Sequence, residues 1–415
     1  MRVVFLGPVY PQEMQQFTRG LAEVGAEVYG VGDTPKAALP DSVRRYLSGY
    51  LEVPRILAED DVIERVSAWL RGHSIDRVLS NWEPTVLLAA RLRERWGMPG
   101  MSVDTVLGFR DKQLMKERVA AAGIRVPRSQ RVVREGPDHG TRAMLEAGEQ
   151  VGFPLIVKPI AGAGSADTYA CRDASQFAEA VKRTAHVREL SVEEYIEGEE
   201  FTYDTVCVDR GDGGRPAYEN VAQYLPKPLE ARSEEWISPV IITVRDLAQP
   251  KLQKGIALGR QVLKALNMGD GFTHMEWFYT PKGEAVFGEI GCRPGGARLV
   301  DQMNYTGDVD LFREWARVAC WKSFETSTER KYNCGVIFKR AKGQGRITGI
   351  HGLEHFKRRF GGWVLEDELL RPGTHRRDWK QTLVSDGYLM VRHPDWDEAK
   401  RICFAAATDI TMFAE

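Results

Sequence analysis

The sequence predicts an α/β protein that opens on a doubly wound parallel-sheet domain and closes on an α+β cap. Three observations carry this. The 415 residues exceed one ordinary core, so two to four domains or subdomains are expected. Strand-like apolar runs alternate with helical stretches through the first hundred residues, the pattern of parallel strands joined by crossover helices. From about residue 331 the pattern changes to short strand-like runs and a terminal amphipathic helix.

Composition narrows the class. With 43% hydrophobic residues, 28% charged residues and a net charge of −1, the chain has neither a polyanion-binding balance nor a disordered tail, so nucleic acid is not expected as a partner. The one apolar opening, VVFLG, is too short for a signal core or a membrane span; a cytoplasmic location without a membrane partner is expected. The six cysteines show no CxxC or CxH spacing and suit reduced, buried thiols.

RVVFL, a helix from Gln12 to Val24 and AEVYGV form a β-α-β opening with a Gly-Pro turn after the first strand. That turn, FLGPVYP, lacks GxGxxG, so a substrate pocket at the strand ends is expected rather than a dinucleotide site. IDRVLS and a helix from about Pro84 to Trp96 extend the alternation. A helix over Asp111 to Ala122 ends at Gly123 and bridges to FPLIVKP, the loop AGAGS, the strand DTYAC and a helix from Ala174 to about His186. VEEYIEG and FTYDTVCV follow, with GDGGRP as a hairpin turn. A helix from about Arg245 to Leu266 precedes the strands FTHMEWFY and EAVFGEIG, joined by TPKG, and another covers about Val309 to Trp321. CGVIFKR, RITGI and GYLMV are the strand-like runs of the cap.

Glu276 and Glu289 lie on the two strands joined by TPKG. An even-length loop with a type I turn sets Glu276 opposite Phe287 and Glu289 opposite His274. The two carboxylates are then diagonal neighbours on one face, about 7–8 Å apart at their α-carbons and able to share a hard cation. An odd-length loop would put them on opposite faces. A solvated hairpin face bearing two acids is the alternative. Arg293, four residues beyond Glu289 in EIGCRPGG, brings a planar fork suited to phosphate oxygens, although Pro-Gly-Gly also suits an ordinary turn. In VKPIAGAGS, Lys158 supplies a point charge and Gly162, Gly164 and Ser165 a backbone able to fold over phosphates; a glycine-rich hairpin turn is the bland reading. VEEYIEGEEF carries five acids in ten residues but alternates Val192, Tyr195, Ile196 and Phe201 like a strand. Lys112 stands in the first turn of its helix, where a cation is unfavourable unless it faces an anion.

Taken together and in order, RDKQLMKERVAAAGIRVP, GFPLIVKPIAGAGSADT, VEEYIEGEEFTYDTV and HMEWF with VFGEIGCRPGG resemble the ATP-grasp superfamily of carboxylate-amine ligases, over roughly residues 103–325. The tail, with GRITGI, HGLEHF and DGYLMV, looks most like the branch of L-amino acid ligases and carnosine-synthase-like enzymes. The resemblance implies a pre-ATP-grasp α/β domain over 1–102 and a two-lobed ATP-grasp fold. One lobe, over 103–190, would carry the phosphate loop and the other, over 191–330, the metal site, with the cap over 331–415.

It implies an ADP-forming ligase that joins a carboxylate to an amine through an acyl phosphate, using ATP and Mg2+ (or Mn2+). Lys112 and Lys158 are then the phosphate-binding lysines, and Gly162 to Thr168 the closing loop. Glu193, Glu194 and Ile196 flank adenine, with Glu193 and Ile196 acting through their backbone, and Glu200 accepts from the ribose. Glu276 and Glu289 hold the metal, Arg293 faces the transferred phosphoryl group and Arg298 holds a substrate carboxylate or acyl phosphate. Two positions depart from the pattern. Gly291 stands where the family often has a metal-binding asparagine, and Asp167 puts a carboxylate in the phosphate loop. Candidate specificity positions are Lys227, Arg232, Trp236, His274 and Trp277. Cys292 is read as a packed thiol, not a nucleophile. A biotin-carboxylase-like carboxylase, a nucleotide-binding regulator without turnover and a structural dimer module are the alternatives, and a homodimer stays open as an expectation.

Overall fold

A computed structural model describes residues 1–135, 140–160, 167–382 and 384–415. Its N-terminal sheet is parallel throughout, in the order Leu47–Glu52, Glu27–Gly32, Arg2–Leu6, Arg77–Leu79. The strands Arg2–Leu6 and Glu27–Gly32 are buried on both faces, as crossover helices on either side require. The helix Met14–Glu23 packs through Phe17 on Phe272, Phe312 and Trp315, and Arg19 pairs with Asp310 at 2.9 Å. The N-terminal sheet is thereby fixed to the body of the protein.

A small antiparallel sheet, Ser129–Val133, Glu189–Glu194, Leu155–Pro159 and Tyr169–Cys171, carries the helices Thr141–Val151 and Ala174–Arg183 on an apolar core of its own. Facing it stands an eight-stranded antiparallel sheet. Its order is Ala285–Gly291, Gly271–Tyr279, Glu199–Asp209, Gly214–Leu225, Val240–Thr243, Asn333–Phe338, Tyr388–His393, Val364–Asp367. The last three strands come from the expected cap region, so this part of the tail continues the central sheet. The sequence reading missed this because each strand is short and separated from its neighbour by helix or loop.

The helix Pro250–Ala265 lies close on the central sheet because Gly255 and Gly259 have no side chains: a Cβ there would meet the rings of Trp277 at 2.1 Å and Tyr203 at 2.3 Å. Trp277 is fully buried, stacks on Phe201 at 4.9 Å and donates from Nε1 to the Thr202 carbonyl. It is a core residue, and the expectation that it helps choose substrates is corrected. All six cysteines are buried thiols, and burial pushes Cys292 up to about 12, which leaves it inert as a nucleophile. Among the described residues no helix is long and apolar enough to cross a membrane.

Candidate active site

The acid pair depends on the hairpin. Tyr279 pairs with Ala285, which leaves a five-residue loop, the odd length that alone would place Glu276 and Glu289 on opposite faces. A β-bulge between Glu276 and Trp277 inserts one extra residue, Gly288, on the facing strand and restores a common face. Glu276 therefore stands directly opposite Glu289, not diagonal to it as the sequence register predicts. Glycine is needed at the bulge because a Cβ on residue 288 would meet the Glu276 carbonyl oxygen at 2.7 Å.

Around Glu289 the small lobe gathers three lysines. Lys158 Nζ lies 3.0 Å from Glu193 Oε2 and 3.4 Å from Glu289 Oε2, Lys112 Nζ lies 3.7 Å from the same Glu289 oxygen, and Lys116 pairs with Glu193 Oε1. Burial opposes every charge here. It brings Lys116 down to about 8, but Lys112 and Lys158 overcome it at Glu289, whose carboxyl is held down to about 2. Likewise Glu193 and Glu289 hold Lys158 above the usual lysine value, and Lys116 and Lys158 hold Glu193 far below the carboxylate range. Lys116 was missed in the sequence, although it lies one turn from Lys112 on the same helix, the spacing that puts two side chains on one face.

A cavity of about 830 Å³ opens between the small lobe and the central sheet. Lys112, Lys158, Glu193, Glu194, Ile196 and Glu200 line it, together with Thr168. Its wall is apolar at Ile156, Ile196 and Phe278, which suits a flat ring. Glu193 lies within the ladder, paired with Ser129 on one side and Ile156 on the other, and its carboxylate is taken by Lys116, Ser191 and Lys158; its expected backbone contact is corrected. The Glu194 side chain turns to Arg125 at 2.8 Å and Arg128 at 3.5 Å. Burial, then repulsion from Glu276, raises Glu200 well above its usual value. Lys227 also lines this cavity and donates to Tyr195 OH at 3.1 Å. Gly162, Gly164 and Ser165 lie outside the described residues. Asp167, with φ 49°, hydrogen-bonds His186 at 3.1 Å and does not line the cavity, so its carboxylate is turned aside.

A second cavity of about 180 Å³ adjoins the first, and Lys112, Pro228, Glu276 and Glu289 line both. Tyr224 donates to Glu276 Oε1 at 3.1 Å, while His274 bonds Asp204 through Nδ1 at 2.6 Å and turns Nε2 to Glu276 at 3.8 Å. Burial disfavours the imidazolium, but Asp204 outweighs it and lifts His274 to about 9, so the ring is charged at neutral pH. Arg293 and Arg110 both pair with Glu83, which follows the parallel strand Arg77–Leu79. The sequence placed a pocket at these strand ends without naming Glu83; its signal is an acid in the turn leaving a parallel strand. A side chain at Gly291 would begin 3.3 Å from Glu83 Oε2. The glycine keeps open the space that this ion pair uses.

Arg298 behaves differently. It lines neither cavity; its Nη2 lies 3.3 Å from Glu366 and its guanidinium over the Tyr388 ring at 5.6 Å. The expected contact with a substrate carboxylate is corrected: the guanidinium is held by the tail. Trp236 is 73% exposed and lines neither cavity, whereas Arg232 and His274 line the smaller one.

No cluster of three or more His, Cys, Asp or Glu side chains able to hold a metal occurs among the described residues. Two directly opposed carboxylates at the junction of two cavities still fit a magnesium ion that takes its remaining ligands from water and phosphate. Glu276 and Glu289 would hold it.

Residues 151–301 match the ATP-grasp domain family. The chain is 24% identical over 324 residues to an L-arginine-specific L-amino acid ligase of Bacillus subtilis, covering 76% of this chain and 75% of that protein. An L-amino acid ligase from Bacillus licheniformis superimposes with a TM-score of 0.79 at 16% identity, covering 100% of this chain and 98% of that one. An N5-carboxyaminoimidazole ribonucleotide synthetase from Thermotoga maritima superimposes with a TM-score of 0.71 at 18% identity, covering 100% and 99%.

Proposed function

For this chain, which belongs to the ATP-grasp superfamily of carboxylate-amine ligases, we propose that it joins an amino-acid-like carboxylate to an amine through an acyl phosphate, releasing ADP and phosphate. The observation that carries the reading is the junction: Lys112, Glu276 and Glu289 line both the larger cavity, which this reading gives to the nucleotide, and the smaller one, which it gives to the acid and the amine.

In this reading adenine lies against Ile156, Ile196 and Phe278, and Glu200 faces the ribose. Lys158 and Lys112 meet the phosphates, which compete for them with Glu289 and so free that carboxylate. When bound, magnesium would draw charge from the phosphate oxygens and keep the γ-phosphoryl group electrophilic. The substrate carboxylate oxygen attacks γ-phosphorus, the bond to the β-bridging oxygen breaks, and ADP leaves. Arg293 offsets the charge on the moving phosphoryl group, held in aim by Glu83. The amine then adds to the acyl carbon, phosphate departs with the carbon–oxygen electron pair, and the nitrogen loses a proton to the departing phosphate. Glu193 and Lys116 have no direct part in this; their buried ion pair holds Lys158 in register.

ADP release measured over carboxylic acids crossed with amines tests this. Product should require both partners, and Glu289→Gln should lower the rate by about a thousandfold or more. ADP formation that ignores the amine would overturn the reading.

A further inference from the structure

The smaller cavity has a strongly cationic lining. Arg110, Arg232, Arg293 and Arg340 all line it, against Glu83 and the shared pair Glu276 and Glu289. Arg110 and Arg293 share Glu83, which leaves two guanidiniums to account for. Arg340 donates from Nη1 to the carbonyls of Ala231 at 2.7 Å and Glu234 at 2.9 Å, and lies 4.3 Å over the Trp379 ring. Its Nε is buried and has no hydrogen-bond partner. Arg232 donates to the Lys380 carbonyl at 2.7 Å. Neither forms an ion pair with an acid among the described residues: Glu235 and Asp386 hold Arg376 at 2.8 and 3.4 Å, and Asp378, which favours the charge on Arg232, lies outside ion-pair distance.

Two half-buried guanidiniums without a counterion are costly to hold together. Burial, then the neighbouring Arg232, bring Arg340 down to about 10 in spite of Glu235 and Asp386. An anion placed between them would relieve both effects and receive charge-assisted hydrogen bonds. The carbonyls and the Trp379 face fix Arg340 in orientation beforehand, so little ordering remains to be done on binding.

We propose that Arg232 and Arg340 form an anion subsite for a second acidic group, carboxylate or phosphoryl, on one of the two substrates, distinct from the carboxylate that is activated. This rests on the ligase reading above and names the substrate class. The same wall opposes a substrate with a cationic side chain, because it offers such a group two like charges.

The test uses the full chain with ADP and magnesium, and calorimetric titration with L-glutamate, O-phospho-L-serine and the neutral isostere L-glutamine. The wild type should bind glutamate or phosphoserine at least about tenfold more tightly than glutamine; whichever binds tighter identifies the anion. Arg340→Met should reduce that preference to about twofold or less, and Arg340→Lys, which keeps the charge without the fork, should leave an intermediate preference. Glutamine binding as tightly as both anions, or no binding of any probe, overturns the subsite. ADP release with neutral acid–amine pairs and none with anionic ones also overturns it and leaves the ligase reading standing. ADP release with no pair at all overturns the ligase reading, while the glutamate-to-glutamine ratio still decides the subsite.

Discussion

Arg293 and Arg298 stand five residues apart in one glycine-rich turn, GCRPGGAR, yet the fold uses them for opposite ends. Arg293 continues from the edge strand into the smaller cavity, where Glu83 receives it from the N-terminal sheet. Arg298 adopts a left-handed backbone, φ 66°, that turns its side chain away toward Glu366, Asp301 and Tyr388. One guanidinium faces the cavity and the other ties the central sheet to the tail. Residue type and local composition are the same for both, so only the path of the backbone separates them.

The strongest way to break this comparison is to remove each arginine in turn. Arg293→Met should lower kcat by about a hundredfold or more and leave the melting temperature nearly unchanged, because Glu83 keeps Arg110. If the variant instead melts early with its residual molecules fully active, Arg293 is a tie like Arg298 and its assigned role fails.

The metal strands give the second largest effect. Gly288→Val should cost at least about tenfold in ADP release, because its side chain would collide with the Glu276 carbonyl, straighten the bulge and turn Glu289 off the common face. Full activity in this variant, with the acids still acting as a pair, would refute the bulge as the device that aligns them.

That bulge also marks where the sequence stops being legible. The hydrophobic alternation, the helix stop at Gly123 and the Gly-Lys-acid motifs were enough to place the strands and helices around the site, since each is a local pattern with a local cause. The pairing of Glu276 with Glu289 was reached through the wrong register, because one inserted glycine shifts a ladder without leaving a trace in periodicity. Glu83, Arg110, Tyr224 and Arg340 were not read at all. They meet the site across long stretches of chain, 210 residues between Glu83 and Arg293 and 52 between Tyr224 and Glu276, and each alone carries no local signal.

A smaller effect is expected at the tie. Arg298→Met should destabilise the fold by about 2 kcal/mol, since it leaves Glu366 and Asp301 facing each other in a largely buried place, although Tyr305 and Tyr388 still donate to Glu366. ADP release at low temperature should stay within a few-fold of wild type. A loss as deep as that of Arg293→Met with no change in melting would return Arg298 to the active site.

The narrowest effect in pH, and the sharpest in sign, belongs to Asp301. Its Oδ2 is buried without a hydrogen-bond partner; Arg298 Nε lies 3.3 Å away but is not aligned to donate. Burial, with Glu366 and Glu13 nearby, raises its carboxyl to about 7 in spite of Arg298, against about 3.9 in an unfolded chain. A group raised in this way favours the folded state while it is protonated. That contribution is complete below about pH 4, where both states are protonated, and is lost as the pH rises through 7. Asp301→Asn carries no charge to bury, so if it melts like wild type near pH 5 it should be more stable by about 2–3 kcal/mol at pH 8. Equal melting of the two proteins at pH 8 would mean that Arg298 holds Asp301 ionised throughout, making the tie a two-acid clamp on one arginine rather than a single ion pair with a neutral neighbour.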